Sequence, residues 1–168
     1  MGTIRCDRWS LDDRLLLIGD AAHAMTPFHG QGMNCAFEDC RELDALLGAS
    51  DWNTAFAEFA RSRRPNTDAI ANMAIENYEE MRDTVRRPKF QLQKLLSLQL
   101  ERRFPDRFVP RYSMVMFHDE IPYTVAFERG RIQNGILAEL TRNANSLDEI
   151  DAAAAAAMIE QQLEPIRS

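Results

Sequence analysis

The residues best suited to chemistry lie close together in one stretch of the chain, residues 15–40, with the sequence "LLLIGDAAHAMTPFHGQGMNCAFEDC". Within this stretch, Gly19 and Asp20 follow an apolar run. An acid at the end of a strand can accept two hydrogen bonds from adjacent sugar hydroxyls, and glycine lets such a ligand approach the backbone. A Gly-Asp pair more often forms a capped turn, so the pair by itself identifies no ligand.

A second feature of the stretch is "GQGMN", residues 30–34, which directly precedes a pattern with helical spacing. Gly30 and Gly32 permit positive φ and the close approach of a ligand. The N–H groups of Gly32, Met33 and Asn34 would point out of the helix N-terminus, at the positive end of the helix dipole. Such a terminus favours a negatively charged or polarised ligand group, although the same pattern is common in ordinary loop-to-helix joints.

The histidines and cysteines of this stretch lack the spacing of a metal site. His23 and His29 are six residues apart, with no carboxylate or thiolate at ligand spacing. We therefore predict no metal and interpret His23 as a hydrogen-bonded structural residue. Cys35 and Cys40 are five residues apart, which is poor geometry for one zinc ion. Motifs such as G-x-S-x-G and H-E-x-x-H are absent from the sequence, so the residues alone identify no catalytic side chain.

The composition is that of an ordinary globular protein, with 168 residues, 45% apolar and 27% charged. The net charge of −6 argues against a nucleic-acid partner. Three cysteines are an odd number without framework spacing, which favours a reducing compartment. No apolar run approaches the roughly 18 residues of a membrane span. We expect a cytoplasmic chain with no membrane partner.

The elements that position the stretch are predicted from its periodicity. Residues 15–18 form a buried strand, and residues 33–47 form a helix with Phe37 among its buried positions. A second helix covers residues 52–63, with Trp52, Phe56 and Phe59 on its buried face. Pro65 begins a new helix that extends to about residue 82, because proline suits the first helical position.

The second half of the chain is predicted to be mostly helical. A helix covers residues 89–103 after a break at Pro88, and another begins within "IPYTVAFERGRIQNGILAEL". The apolar hexapeptide "YSMVMF", residues 112–117, favours a strand. An alanine-rich helix follows Ser146 and ends near Leu163. The fold class is therefore α+β, with helices predominating.

The charge is unevenly distributed. Residues 82–111 contain nine basic and three acidic side chains, a local charge of +6, so the rest of the chain has a charge of −12. A solvated helix face is the usual explanation of such a run. The alternative is that the stretch complements a partner surface or an anionic ligand.

The features of the opening stretch follow one another in a specific order: a strand, "GDAAH", a loop with "PF", "GQGMN", and a helix with "ED". This order resembles the second flavin-binding motif of the FAD-dependent aromatic hydroxylases, the class A flavoprotein monooxygenases. The resemblance implies that the aspartate holds sugar hydroxyls of FAD and that the helix N-terminus faces N1 and the C2 carbonyl of the flavin. The implied FAD-binding residues are Asp20, Pro27, Gly30, Gly32, Met33 and Asn34.

Three later segments, "NYEEMRDTV", "FPDRFVPRYSMVMF" and "IPYTVAFERGRIQNGIL", are similar to the C-terminal half of the kynurenine 3-monooxygenase family. The resemblance covers about residues 15–140. It implies that NADPH reduces FAD and that O2 supplies the oxygen that hydroxylates L-kynurenine. The implied substrate-binding residues are Pro27, Phe28, His29, Asn77, Met81 and Tyr112. Without the resemblance, Asn77 would be interpreted as a solvated helix residue and Tyr112 as a half-buried edge residue.

The family also places a dinucleotide-binding βαβ unit with G-x-G-x-x-G before these segments, and this sequence lacks that motif. The resemblance thus implies the C-terminal part of an FAD-dependent hydroxylase fold without its N-terminal FAD-binding half, which would be a partner. Residues 1–48 would be a remnant of the FAD-binding domain, and residues 49–168 a helical region with substrate-pocket residues. We expect the isolated chain to bind FAD weakly or not at all and to be inactive.

Two other functions stay open at this stage. The chain could be a non-catalytic helical interaction module derived from a flavin hydroxylase, which docks through exposed apolar residues of the first strand and through the basic stretch. It could also belong to a related hydroxylase that acts on another aromatic acid. The match at Asn77 and Tyr112 favours the kynurenine family over the wider class.

Overall fold

The chain divides into two units between Glu79 and Glu80. The structure is a computed structural model that describes residues 2–166. Over these residues the secondary structure is mainly α-helical, with one small two-stranded sheet. The prediction of a mostly helical chain with little strand is confirmed, whereas the predicted domain boundary after Gly48 stays a prediction.

The first unit begins with a short hairpin and ends with a long helix. Two short strands, β1 (Ser10–Leu11) and β2 (Leu15–Leu16), pair antiparallel, with Ser10 opposite Leu16 and Leu11 opposite Leu15. The elements are β1 (Ser10–Leu11), β2 (Leu15–Leu16), α1 (Asp20–His23), a 3-10 turn (Pro27–His29), α2 (Gly32–Ala49) and α3 (Trp52–Glu79). The predicted strand over residues 15–18 is therefore present but shorter, and the predicted helix over residues 33–47 is confirmed as α2.

The core of the first unit forms around Trp9. The centroid of its indole ring lies 5.3 Å from the ring centroid of His23 and 6.0 Å from that of Phe59. The predicted burial of Phe59 on α3 is confirmed. The predicted burial of Phe37 is wrong, because the buried face of α2 includes Cys35 and Asp39, and Phe37 points away from both. Trp52 is also exposed, since it precedes the point where the buried face of α3 begins.

Helix α3 continues through Pro65, so the predicted new start at this residue is wrong. A proline inside a helix removes one hydrogen bond and costs roughly 3 kcal/mol. The hydrogen bond that Pro65 removes would have reached the Arg61 carbonyl, and the adjacent Ser62 carbonyl accepts the Asn66 side-chain amide at 3.3 Å. Residues on both sides of the proline are buried, from Phe56 to Met73, and this burial outweighs the local cost.

The regular secondary structure in the described part of the second unit is entirely helical. Its elements are a π-helix (Glu80–Thr84), α4 (Pro88–Arg103), α5 (Arg111–Phe117), α6 (Tyr123–Thr141), a 3-10 turn (Leu147–Glu149) and α7 (Ala152–Gln162). Its main core is built from α4, α6, α7 and the loop at Phe108, which is fully buried. Among the helices of residues 2–166, none has both the length and the apolarity needed to cross a bilayer.

The predicted strand over residues 112–117 is wrong, because these residues form α5. The helix starts after Pro110, whose carbonyl accepts the N–H of Met114 at 3.0 Å. It buries Met114 against Ala126 and Val109. An apolar hexapeptide is too short to show a helical or strand period, so its sequence does not distinguish the two.

Part of the basic stretch, residues 82–111, binds groups inside the second unit. The Lys89 Nζ donates to the carbonyl oxygens of Thr141 at 2.5 Å and Ala144 at 2.8 Å, where α6 ends. A cation at this position satisfies carbonyls that lack helical partners. Arg107 likewise donates to the Leu163 carbonyl at 2.7 Å. The stretch is therefore not a uniformly solvated face.

Candidate functional site

The predicted sugar-binding acid, Asp20, is the first residue of α1, and its side chain is exposed. Gly19 precedes it with φ 56° and ψ −141°, a conformation that glycine adopts far more readily than other residues. A side chain at Gly19 would also place its Cβ 3.3 Å from the Cβ of Ala36. Within residues 2–166 the Asp20 carboxylate has neither a hydrogen bond nor an ion pair, so it is available to a ligand.

The glycines of "GQGMN" form the joint that was predicted. Gly30 ends the 3-10 turn Pro27–His29 in the left-handed region, with φ 72°. Helix α2 begins at Gly32, and the first intrahelical hydrogen bond runs from the Cys35 N–H to the Gln31 carbonyl at 2.9 Å. The N–H groups of residues 32–34 therefore precede the helical hydrogen-bond ladder. The side chains of Met33 and Asn34 are exposed at this end of the helix.

Of the predicted substrate residues, Phe28 and Asn77 lie in contact. The Asn77 Nδ2 donates to the Phe28 carbonyl. The ring centroids of Phe28 and Tyr78 are 4.5 Å apart. This contact ties the Pro27–His29 turn to the end of α3. Pro27 of the same turn is exposed and His29 is buried. The Asn77 Oδ1 accepts no hydrogen bond within residues 2–166.

The other two predicted substrate residues belong to the second unit. Met81 lies on the π-helix, and Tyr112 lies near the start of α5. Both side chains are exposed. Their part in substrate binding stays a prediction.

The first unit contains a buried polar cluster centred on Asp39, which we call the Asp39 cluster. It consists of Gly19, His23, Cys35, Asp39 and Arg63. Asp39 Oδ2 accepts the Gly19 N–H at 2.9 Å and lies 2.6 Å from the His23 Nε2, while Oδ1 accepts the Arg63 Nε at 2.7 Å. The relative exposure is 0% for Asp39 and 2% for Arg63.

The remaining donors of Arg63 are also used. Its Nη2 donates to the Cys35 carbonyl at 3.1 Å and contacts the Cys35 Sγ at 3.3 Å. Its Nη1 donates to Glu38 at 3.1 Å and to Glu42 at 3.3 Å. The guanidinium thus has acceptors in every direction, as a buried cation requires.

These contacts shift the proton affinities of the cluster. Burial would raise the pKa of Asp39, but hydrogen bonds from His23, Gly19 and Arg63 outweigh it and hold that pKa below its ordinary value. Burial would lower the pKa of Arg63, but the hydrogen bond to Asp39 and the nearby acids raise it instead. Asp39 and Arg63 therefore form a charged pair. Burial, which Arg63 opposes only in part, raises the pKa of the Cys35 thiol to about 12.

The cluster does not fit a metal ion, although the ligand atoms of His23, Cys35 and Asp39 lie within 4.8 Å of one another. Arg63 already places a positive charge against Asp39 and Cys35. The raised pKa of Cys35 also opposes the thiolate that a metal would need. A side chain of the protein supplies the cation of this site.

Sequence reasoning missed Arg63, although a signal for it was present. Arg63 follows Phe56 and Phe59 by seven and four residues, so the three share the face of α3 that was predicted to be buried. An arginine on a buried face requires a buried acid. In the sequence its partner Asp39 is distinguished only as part of the "ED" pair, and nothing local shows that α2 and α3 face each other there.

The Asp39 cluster predicts a difference in thiol reactivity between two cysteines of α2. At a pH below 9, a pKa of about 12 in place of 9.0 lowers the thiolate fraction of Cys35 by about 1,000-fold. Cys35 is also buried, whereas Cys40 is exposed on the same helix. We expect a thiol reagent at pH 8 to modify Cys40 within minutes and Cys35 only after unfolding, as measured by peptide mass spectrometry. Equal rates for the two cysteines in the folded chain would contradict the burial of the cluster.

Comparisons with known proteins find one sequence family and a set of similar proteins. A sequence family described as "FAD binding domain" matches residues 1–74. The kynurenine 3-monooxygenase of Xanthomonas oryzae pv. oryzae (strain PXO99A) is 53% identical over 167 residues, which are 99% of this chain and 36% of that protein. The kynurenine 3-monooxygenase of Stenotrophomonas maltophilia (strain K279a) is 53% identical over 97% of this chain and 36% of its own length.

The chain thus spans about a third of the length of the curated relatives that it matches, since it covers 36% of each. Over nearly its whole length it is similar to proteins named kynurenine 3-monooxygenase. The predicted resemblance to this family of FAD-dependent aromatic monooxygenases is confirmed, and so is FAD as the cofactor of the family.

Proposed function

We propose that the chain is part of an FAD- and NADPH-dependent monooxygenase that uses O2 to hydroxylate L-kynurenine to 3-hydroxykynurenine. The observation that supports it most directly is the position of the predicted FAD-binding residues. All of them, from Asp20 to Asn34, lie within residues 1–74, the segment that matches the FAD-binding family. The substrate is proposed from the names of the relatives, which are 53% identical to this chain.

The first unit fits the groups that FAD would present to it. The Asp20 carboxylate has no partner in the described chain and can accept hydrogen bonds from sugar hydroxyls. The N–H groups of Gly32, Met33 and Asn34 can donate to a polarised carbonyl of the flavin, and the α2 dipole favours negative charge there. FAD, when bound, supplies the redox chemistry, accepting a hydride from NADPH and reacting with O2. The protein orients both reactants and excludes water from them.

The substrate side of the proposal uses the Pro27–His29 turn and Asn77. The Asn77 Nδ2 donates to the Phe28 carbonyl, so we propose that it holds this turn in position. Its Oδ1 is then the atom that would accept a hydrogen bond from the ammonium group of kynurenine. Met81 and Tyr112 are proposed as substrate residues from the family resemblance alone.

The proposal also requires residues outside this sequence. The adenosine and pyrophosphate of FAD need a dinucleotide-binding βαβ unit, and the sequence has no G-x-G-x-x-G motif. We propose that the part of the relatives outside the matched 36% supplies this unit. The isolated chain would then bind FAD weakly and would not hydroxylate kynurenine.

A hybrid enzyme tests the proposed function. The matched segment of the Xanthomonas oryzae relative is replaced by this chain, and the purified hybrid is assayed for bound FAD and for 3-hydroxykynurenine formed from kynurenine and NADPH. We expect bound FAD and kynurenine hydroxylation. The Asp20→Asn form should bind FAD about 10- to 100-fold more weakly, since charge-assisted hydrogen bonds from the sugar hydroxyls to a carboxylate become weaker bonds to a neutral amide oxygen.

The possible outcomes separate the parts of the proposal. The parent enzyme is the positive control. The Asp44→Asn hybrid is the matched control for Asp20→Asn, because Asp44 is also an exposed acid but lies on α2 and is not among the predicted FAD-binding residues. A hybrid that binds FAD but oxidises NADPH only in the presence of a different aromatic acid would overturn the assignment of kynurenine as the substrate. A folded hybrid that holds no FAD would overturn the proposed function and favour an interaction module.

A further inference from the structure

Both backbone polar groups of Gly19, its N–H and its carbonyl, form hydrogen bonds. Its N–H donates to the Asp39 Oδ2 at 2.9 Å, and its carbonyl accepts the N–H groups of Ala22 at 2.9 Å and His23 at 3.0 Å. Its φ of 56° and ψ of −141° belong to a region that other residues adopt only under strain. Asp20 is the next residue. The two peptide planes around Gly19, together with the helical backbone of Asp20 in α1, therefore set the direction in which the Asp20 side chain leaves the backbone.

The acceptor of the Gly19 N–H is itself held from two other elements. His23 of α1 contacts one oxygen of the Asp39 carboxylate at 2.6 Å, and Arg63 of α3 donates to the other at 2.7 Å. With both oxygens bound and no solvent exposure, the carboxylate has a single orientation. Helices α2 and α3 thus define one position for the Gly19 N–H.

The contact to Gly19 is additional to the link that the Asp39–Arg63 pair makes between α2 and α3. The Asp39–Arg63 pair would join α2 to α3 without any contact to the Gly19 backbone. The cluster instead directs one carboxylate oxygen at the N–H of the residue that precedes the exposed Asp20. Asp39, which has no solvent exposure, therefore contacts the backbone next to Asp20, whose carboxylate is accessible to a ligand.

We propose that Asp39 is a positioning residue for the cofactor: it holds Gly19 in its positive-φ conformation and thereby directs the Asp20 carboxylate at the sugar hydroxyls of FAD. The proposal rests on the proposed function in one respect, that Asp20 binds FAD. It adds that Asp39, which is too buried to touch the cofactor, acts on FAD affinity through Asp20.

The first measurement uses the full 168-residue chain without FAD. The Asp39→Asn variant removes the charge of the acceptor at nearly constant size, and Asp44→Asn is the control on the exposed part of α2. We expect Asp39→Asn to shift the amide resonance of Gly19 and to accelerate its hydrogen exchange about tenfold relative to amides in the middle of α2, because a charge-assisted hydrogen bond is lost. A Gly19 amide that is unchanged in Asp39→Asn would overturn the proposal.

The second measurement is a double-mutant cycle on the FAD dissociation constant of the hybrid described above. Its four forms are the unmodified hybrid, Asp20→Asn, Asp39→Asn and the double variant. If Asp39 acts through Asp20, Asp39→Asn weakens FAD binding about tenfold in the unmodified hybrid and less than about twofold once Asp20 is replaced. Equal losses in both backgrounds would overturn the proposal, because they would mean that Asp39 affects FAD binding by another route.

The design keeps the two proposals apart. An unmodified hybrid that folds but binds no FAD overturns the proposed function and, with it, the role given to Asp20. Additive losses in a hybrid that binds FAD overturn only the positioning role of Asp39. If Asp39→Asn does not fold, Gly19→Ala takes its place in the cycle, since a Cβ at φ 56° disturbs the same backbone from the other end of the hydrogen bond.

Discussion

Replacing Asp39 by alanine is expected to lower the free energy of unfolding of the first unit by about 3–5 kcal/mol. The change leaves the Arg63 guanidinium, with 2% relative exposure, without its main counter-charge. It also removes the acceptor of the Gly19 N–H and of His23. Urea unfolding followed by tryptophan fluorescence measures the effect, because both tryptophans, Trp9 and Trp52, belong to the first unit.

Two further variants show whether the loss comes from the buried pair. Asp44→Ala, on the same helix but exposed, should change the free energy of unfolding by less than about 0.5 kcal/mol. The double variant Asp39→Leu with Arg63→Met removes both charges and should be less destabilised than Asp39→Ala alone. If Asp39→Ala costs no more than Asp44→Ala, the buried charge pair does not exist in solution.

The second large effect is expected in the other unit, at Phe108. This side chain is fully buried among α4, α6 and α7, in contact with a cluster that includes Leu100, Ile136 and Ile159. Phe108→Ala removes an aromatic ring and leaves a cavity that rigid helices cannot fill, at a cost of about 3–5 kcal/mol. Hydrogen exchange of the α6 amides measures the loss within the second unit.

Phe117→Ala is the matched control for this prediction. Phe117 also belongs to the second unit, but 74% of its surface is exposed. Its truncation should change the exchange of α6 by an amount equivalent to less than about 0.5 kcal/mol. If the two variants behave alike, the core described around Phe108 would be wrong.

What the sequence predicted correctly was determined by local chemistry. The glycines of "GQGMN" precede the periodic pattern of α2, and Pro88 stands at the start of α4, so these helix boundaries follow from positions close in the chain. Gly19 was predicted at the end of the first strand and before Asp20, and the structure gives it a positive φ. Short-range rules suffice for such features.

The errors and omissions have long-range causes. Pro65 normally begins or ends a helix, but burial along the whole of α3 overrides its local preference. The segment over residues 112–117 forms a helix because Met114 is buried against α6, which the hexapeptide itself does not encode. Asp39 is 20 residues from Gly19 and 24 from Arg63, so only the packing of α1, α2 and α3 reveals that they meet.

The contacts of Lys89 have a practical consequence for labelling the protein. The sequence contains only two lysines, Lys89 and Lys94. The ammonium group of Lys89 donates to the carbonyl oxygens of Thr141 and Ala144, whereas Lys94 has neither a hydrogen bond nor an ion pair within residues 2–166. An amine-reactive dye should therefore attach first at Lys94, apart from the N-terminal amine. Helix α4 thus offers a nearly unique conjugation site for fluorescence or surface immobilisation, without any engineered residue.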